Sequence, residues 1–147
     1  MLEPVIWSKP RMYTDEVESA ACEFHGHGGP FLVIGLRMGI KALKVLDSKG
    51  WFNLKCIVYL RWEPPASCVI DGIQISTGCT MGKHNIEVCD SSGVMAVFRK
   101  GESQVEIRIR DEVLKLVEAS LKEESSSIEE LLEWLRKVDD DEIFLIT

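Results

Sequence analysis

Residues 30–48, Pro-Phe-Leu-Val-Ile-Gly-Leu-Arg-Met-Gly-Ile-Lys-Ala-Leu-Lys-Val-Leu-Asp-Ser, constrain the fold more than any other stretch. Pro30 suits the first position of a helix, where a missing N–H costs nothing. Arg37, Lys41, Lys44 and Ser48 then form one polar stripe at offsets +4, +7 and +11, and almost everything else is apolar. A helix of that kind must be covered on most sides. Gly35 and Gly39 lie one turn apart and let another backbone approach closely. The stripe itself reads as a solvated helix face.

The other elements arrange themselves around this helix. Thr14 before Asp15 and Glu16 is a helix start, with an N-cap and acids in the first turn. Val17, Ala20, Ala21 and Phe24 follow at i, i+3, i+4 and i+7, one apolar face. Leu54 to Trp62 is a near-continuous apolar run rich in β-branched and aromatic residues, a central strand stopped by Glu63-Pro64-Pro65. Ser67 to Thr77 reads as a short helix. Residues 85–89, 94–98 and 105–109 read as three strands of a meander, with turns at Asp90-Ser91-Ser92-Gly93 and Lys100-Gly101-Glu102. Val105, Ile107 and Ile109 alternate with Glu106, Arg108 and Arg110, so one face of that strand meets water. Asp111 to Glu123 places Val113, Leu116, Val117 and Leu121 on one face. Ser127 and Glu130 form a capping box opening a helix to Val138, with Ile128, Leu131, Leu132, Leu135 and Val138 inward. Residues 143–146 close the chain as a strand. Helices first and last with strands between imply an α+β fold: N-terminal helices packed on a mainly antiparallel sheet, with two C-terminal helices. One domain over 1–147 is expected, with a core at about 14–110 and an acidic helical part at 111–147.

The net charge of −7 is unevenly spread: residues 111–147 hold 12 acids and 4 bases. Such a surface favours solubility and argues against nucleic acid as a partner. No stretch is long and apolar enough to span a membrane, and Met1 to Arg11 lacks the pattern of a signal peptide. Cys22, Cys56, Cys68, Cys79 and Cys89 are odd in number and none pairs as C-x-x-C. Reduced thiols in a cytoplasmic protein follow, with neither a disulfide framework nor an iron–sulfur cluster.

Two segments carry the chemistry. In His25-Gly26-His27-Gly28-Gly29-Pro30, two of the three histidines sit two residues apart in a glycine-rich loop before a helix. Imidazoles are common metal ligands, and the free N–H groups of the following helix suit an anion. The alternative is a helix–helix corner with surface histidines. In the segment Ser67 to Lys83, a helix would put Cys68, Asp71, Gly72 and Ile75 on one face, with Cys79 extending it. A thiol and a carboxylate one turn apart suit a metal site or a nucleophile; the alternative is small core cysteines and a local contact of Asp71. Gly78 to Lys83 is one residue short of a phosphate loop, and His84 replaces the required Ser or Thr, so a nucleoside triphosphate is excluded. His84, Cys22, Cys56 and Cys89 read as structural.

Taken together, F-H-G-H-G-G-P-F at 24–31, R-M-G at 37–39 and S-C-V-I-D-G-I-Q-I-S-T-G-C-T-M-G-K at 67–83 resemble the FmdE family over residues 14–110. That family takes its name from an accessory polypeptide of formylmethanofuran dehydrogenase. The family pattern is G-H-x-C-P-G, R-M-G, C-x-x-D-A-I-Q and T-G-C-T-x-G-K. The resemblance implies an α+β core, often dimeric, with a cleft lined by these motifs and a metal ion as a plausible occupant. Carried over by position, the motif residues are His25, His27, Cys68, Asp71, Gln74, Cys79, Thr80 and Lys83. Gly29 stands where the family has cysteine. The C-terminal zinc-binding module of many relatives is replaced by acidic helices, so no structural zinc is expected there.

The expectation is therefore a metal-binding protein of archaeal or bacterial one-carbon, methanogenesis-type metabolism. His25, His27, Cys68 and Cys79 would be the ligands of a divalent metal, zinc first, iron or nickel otherwise. Asp71, Cys68 and Lys83 would serve any catalysis, and Gly28, Gly29, Gln74 and Thr80 would line a cofactor. A homodimer is expected, with possible association with a molybdenum or tungsten enzyme. The alternatives are a non-catalytic accessory protein and a binder of an anionic, pterin-like cofactor.

Overall fold

The structure is a computed structural model that describes residues 11–123 and 127–147, without the side chains of Glu123 and Ser127. It has six helices and five strands among these residues: α1 (Asp15–His25), α2 (Pro30–Leu46), β1 (Lys55–Leu60), α3 (Cys68–Thr77), β2 (Ile86–Asp90), β3 (Val94–Lys100), β4 (Ser103–Ile109), α4 (Asp111–Glu123), α5 (Ser127–Lys137), α6 (Asp140–Ile143) and β5 (Phe144–Ile146). This is the expected α+β class, with a mostly antiparallel sheet. The segment Met1 to Pro10 and the Ser127 cap lie outside the described residues. No helix among those described is long and apolar enough to cross a membrane.

The sheet order is β2-β1-β3-β4-β5. The expected meander is corrected here. β3 and β4 form a hairpin, but β2 does not pair with β3; it lies parallel to β1, whose other edge takes β3. A parallel neighbour needs a crossover, and α3 supplies it. The turn Asp90-Ser91-Ser92-Gly93 crosses the end of β1, with Ser91 N–H donating to the Leu60 carbonyl and Asp90 accepting from Trp62 N–H at 2.8 Å.

Register puts one face of every strand into the core. Cys56, Val58 and Leu60 of β1 stand opposite Phe98, Ala96 and Val94 of β3, and all six are buried. Val105, Ile107 and Ile109 continue the row on β4, and Phe144 caps it from β5. The opposite face carries Lys55, Arg99 and Arg108, which meet water as the alternation on β4 requires.

Helix α2 lies over β3 and β4 and touches α1, α3 and α5. Twelve of its 17 residues are buried. A Cβ on Gly35 would stand 2.1 Å from the Val69 carbonyl oxygen, and one on Gly72 of α3 would stand 2.4 Å from that of Leu32. The two backbones thus touch, and no residue but glycine fits either side.

The polar stripe of α2 is less solvated than its sequence suggested. Arg37 Nη1 donates to the Leu135 carbonyl and Nη2 to Asp140 Oδ1, both at 2.8 Å, and Ser48 is buried, accepting from Gly50 N–H. Long side chains on a largely buried helix reach polar partners on α5 and α6 rather than water. On α1 the buried face is Val17 and Ala21, while Ala20 is exposed and Phe24 is 57% exposed. On α4, Val113, Val117 and Ser120 turn inward and Leu116 is 48% exposed.

Candidate functional site

The site grows from the end of α1. Thr14 caps the helix by accepting from Val17 N–H, and Gly26, with φ of 100°, terminates it. His25 is thereby the last helical residue and faces α3, where Asp71 sits in the first turn. His25 Nδ1 lies 2.6 Å from Asp71 Oδ2, with the imidazole side chain 11% exposed. The carboxylate accepts the Nδ1–H. The other ring nitrogen, Nε2, is buried and has no hydrogen-bond partner.

His27 repeats the arrangement nearer the surface. Its Nδ1 lies 2.9 Å from the Gly28 carbonyl oxygen, which accepts the proton. The two rings are 4.7 Å apart between centroids and tilted by 50°. In both imidazoles an oxygen thus fixes the proton on Nδ1 and leaves the lone pair on Nε2. Metal-binding histidines are oriented in this way. Two imidazoles on one zinc, with bonds of about 2.0–2.1 Å, bring their centroids to roughly 5 Å, so the donor chemistry and the ring spacing both fit a shared ion. Among the described residues no three His, Cys, Asp or Glu gather as a complete ligand set.

The second segment divides into two parts. Asp71 and Gln74 turn toward the histidines: Gln74 Nε2 donates to Asp71 Oδ1 at 3.4 Å and its Oε1 accepts from Met81 N–H at 3.0 Å. Beyond α3 the chain turns at Gly78, with φ of 75°. That turn takes Cys79 off the helix face that sequence spacing assigned to it. Cys79 is fully buried, its thiol 3.7 Å from the Leu54 carbonyl. Burial pushes this thiol up, against the opposing pull of the Thr77 hydroxyl and Lys83.

Thr80 and Lys83 bond chiefly to their own loop. Lys83 Nζ donates to Thr80 Oγ1 at 2.9 Å and to the Gly78 carbonyl, and Thr80 N–H donates to Asn85 at 2.8 Å. Asn85, which no sequence motif marked, also donates to the Trp51 carbonyl at 2.8 Å and so ties this loop to the one before β1. Cys22 was likewise missed as a neighbour of the histidine loop: a Cβ on Gly28 would lie 3.4 Å from its sulfur.

Cys68 is half-buried one turn before Asp71. Burial, and then the Asp71 charge, push its thiol above the usual value of 9.0. Since the thiolate is the reactive form, Cys68 should alkylate with iodoacetamide at pH 8 more slowly than a free thiol. Its rate should still be climbing above pH 9. A rate that levels off below pH 8 would mean that a positive charge faces the sulfur. All five cysteines are free thiols in the structure.

A family model described as "FmdE, Molybdenum formylmethanofuran dehydrogenase operon" matches residues 24–145. The chain belongs to the FmdE family. A protein of Archaeoglobus fulgidus named a probable S-adenosyl-L-methionine-binding protein is 30% identical over 98 residues, which cover 63% of this FmdE chain and 26% of the relative. The chain thus spans about a quarter of that relative's length. The crystal structure of an FmdE-like protein of the tungsten formylmethanofuran dehydrogenase type, from Syntrophus aciditrophicus, superposes with a TM-score of 0.69. The match has 20% sequence identity and covers 96% of this chain and 76% of that one. That likeness is one of fold.

Proposed function

We propose that this FmdE chain binds a divalent metal ion through His25 and His27 and serves one-carbon metabolism. Zinc is the first expectation, with iron or nickel next. The observation that carries the reading is the buried, unpartnered Nε2 of His25, whose opposite nitrogen is held by Asp71. A buried polar atom without a partner is costly, and a bound cation would satisfy it. A divalent ion supplies Lewis acidity and an activated water. Asp71 orients His25 and Gln74 steadies Asp71. With two protein ligands per chain, the remaining positions fall to solvent, to a substrate, or to a second copy in the expected homodimer. Cys68 enters only if an ion lowers its thiol.

The test is metal uptake by the chelator-stripped protein. Wild type should reload to near one ion per site and His27→Ala should not reload. Asp71→Asn keeps an acceptor for Nδ1–H but loses the charge, and should bind about 10- to 100-fold more weakly. Cys68→Ala should reload like wild type if the histidine loop holds the ion by itself. Failure of wild type to reload would sink the metal reading.

A second reading is a non-catalytic accessory protein, docking on a molybdenum or tungsten enzyme. Phe24, beside His25, and Met81, whose amide Gln74 holds, are 57% and 53% exposed and offer an apolar contact next to the dyad. It predicts no metal uptake and loss of partner binding in Phe24→Ser. S-adenosyl-L-methionine, from the name of the Archaeoglobus relative, is a small-molecule candidate to titrate in the same series.

A further inference from the structure

A second concavity lies elsewhere, between the extended segment 11–13 and helix α2. It is a cleft of about 380 Å³ lined by Arg11, Met12, Tyr13, Arg37, Ile40, Lys41, Lys44 and Asp140. Its charged lining is four cations and one acid, in a chain of net charge −7. Clustered cations that repel one another destabilise the fold unless an anion sits among them. One anion already does. The Asp140 carboxylate receives Arg37 Nη2 at 2.8 Å and Lys41 Nζ at 3.4 Å. One carboxylate neutralises only part of the charge. Lys44 is exposed, and among the described residues its ammonium makes no hydrogen bond or ion pair. Met12, Tyr13 and Ile40 supply apolar walls, and the volume lies at the small end of the range for small-molecule sites, about 300–1,000 Å³.

We propose that this cleft binds a small phosphate-type polyanion, with Lys41 and Lys44 as its principal contacts and Asp140 as an internal competitor. A carboxylate bridging Arg37 and Lys41 shows that the cations are spaced to share one anion. A second negative group beside it would reach Lys44, one turn further along the same face of α2. The concave shape favours a small ligand over an acidic protein surface.

Titration calorimetry with inorganic pyrophosphate at low salt tests this. Wild type should give a saturable one-site isotherm that weakens as sodium chloride is raised, as screening requires. Each of Lys41→Ala and Lys44→Ala should weaken binding by about fivefold, the effect of losing one exposed ion pair of about 1 kcal/mol. Asp140→Asn removes the competitor and should tighten binding by a similar factor. Two variants that move affinity in opposite directions cannot both be explained by loss of folding. The proposal is overturned if wild type shows no saturable heat, if Asp140→Asn weakens binding, or if Lys83→Ala abolishes binding while the two α2 lysine variants leave it intact.

Discussion

Gly72→Ala should destabilise the protein by about 3–5 kcal/mol, at the upper end of what a single methyl group can do by overpacking. The added Cβ would stand 2.4 Å from the Leu32 carbonyl oxygen, 2.6 Å from the Leu36 nitrogen and 2.8 Å from the Gly35 carbonyl carbon. All three are backbone atoms of α2. No side chain can rotate away to make room, so the helices themselves must separate. Separation opens the packing of Val69, Ile73, Leu32 and Leu36, all at most 1% exposed, and lost contacts are not recovered by small shifts in a dense core. Gly35→Ala meets the same crossing from the other side, 2.1 Å from the Val69 oxygen. For a domain of this size, such a loss lowers Tm by roughly 10 °C or more. Gly28→Ala is the control: its Cβ meets only the Cys22 sulfur, at 3.4 Å, and should shift Tm by little. A drop in Gly72→Ala no larger than in Gly28→Ala would mean that the two backbones do not touch.

The crossing also decides the site. Asp71 precedes Gly72, so moving α3 away from α2 also displaces the carboxylate that bonds His25 at 2.6 Å. Gly72→Ala is therefore expected to weaken metal uptake along with stability.

Much of this arrangement was legible in the residues, for identifiable reasons. Gly35 in an otherwise apolar helix announces a close approach, because nothing else explains a residue that weakens a helix. Thr14, Asp15 and Glu16 mark a helix start by local hydrogen bonding alone, and the cap is present. What failed depended on partners that lie far off in sequence. Phe24 continues the apolar spacing of α1, yet α1 ends one residue later and its core neighbours sit nearer Val17 and Ala21. Arg37 looks solvated until Leu135 and Asp140 arrive from about a hundred residues away. Cys79 keeps helical spacing with Cys68 and Asp71, but Gly78 leaves the helix before that spacing applies. The four-residue turn before β3 fits a hairpin locally, while β1 takes both neighbouring positions. In the site itself, the pairing of His25 with Asp71 joins two motifs that sequence reasoning had marked separately. Asn85 had no local signal, since its role is to bridge two loops.

Gly29→Cys should tighten zinc binding by at least about tenfold, the gain expected when a two-ligand site acquires a thiolate as a third protein ligand. The position accepts a side chain. Its φ of −171° is extended backbone open to any residue, and a Cβ there lies 3.6 Å from His27 Cε1 and 3.8 Å from its Nδ1, ordinary contact distances. Gly29 is also the N-cap of α2 and has no side-chain hydrogen bond to the helix. A thiol placed there faces the free N–H groups and the positive end of the helix, which favour the thiolate. The cysteine would therefore arrive ionised at neutral pH beside His27. Competition with a chromophoric chelator gives the affinity, and cobalt substitution gives the ligand: a sulfur-to-cobalt charge-transfer band should appear in Gly29→Cys and be absent in wild type. If the affinity stays at the wild-type value and no such band forms, the ion is not held by this loop. If the band is already present in wild type, a native cysteine is a ligand, and Cys68 and Cys22 are the ones to replace. Because Gly29 touches only His27, the substitution isolates the loop from the α2–α3 crossing, and a change in metal affinity without a change in Tm separates site chemistry from folding.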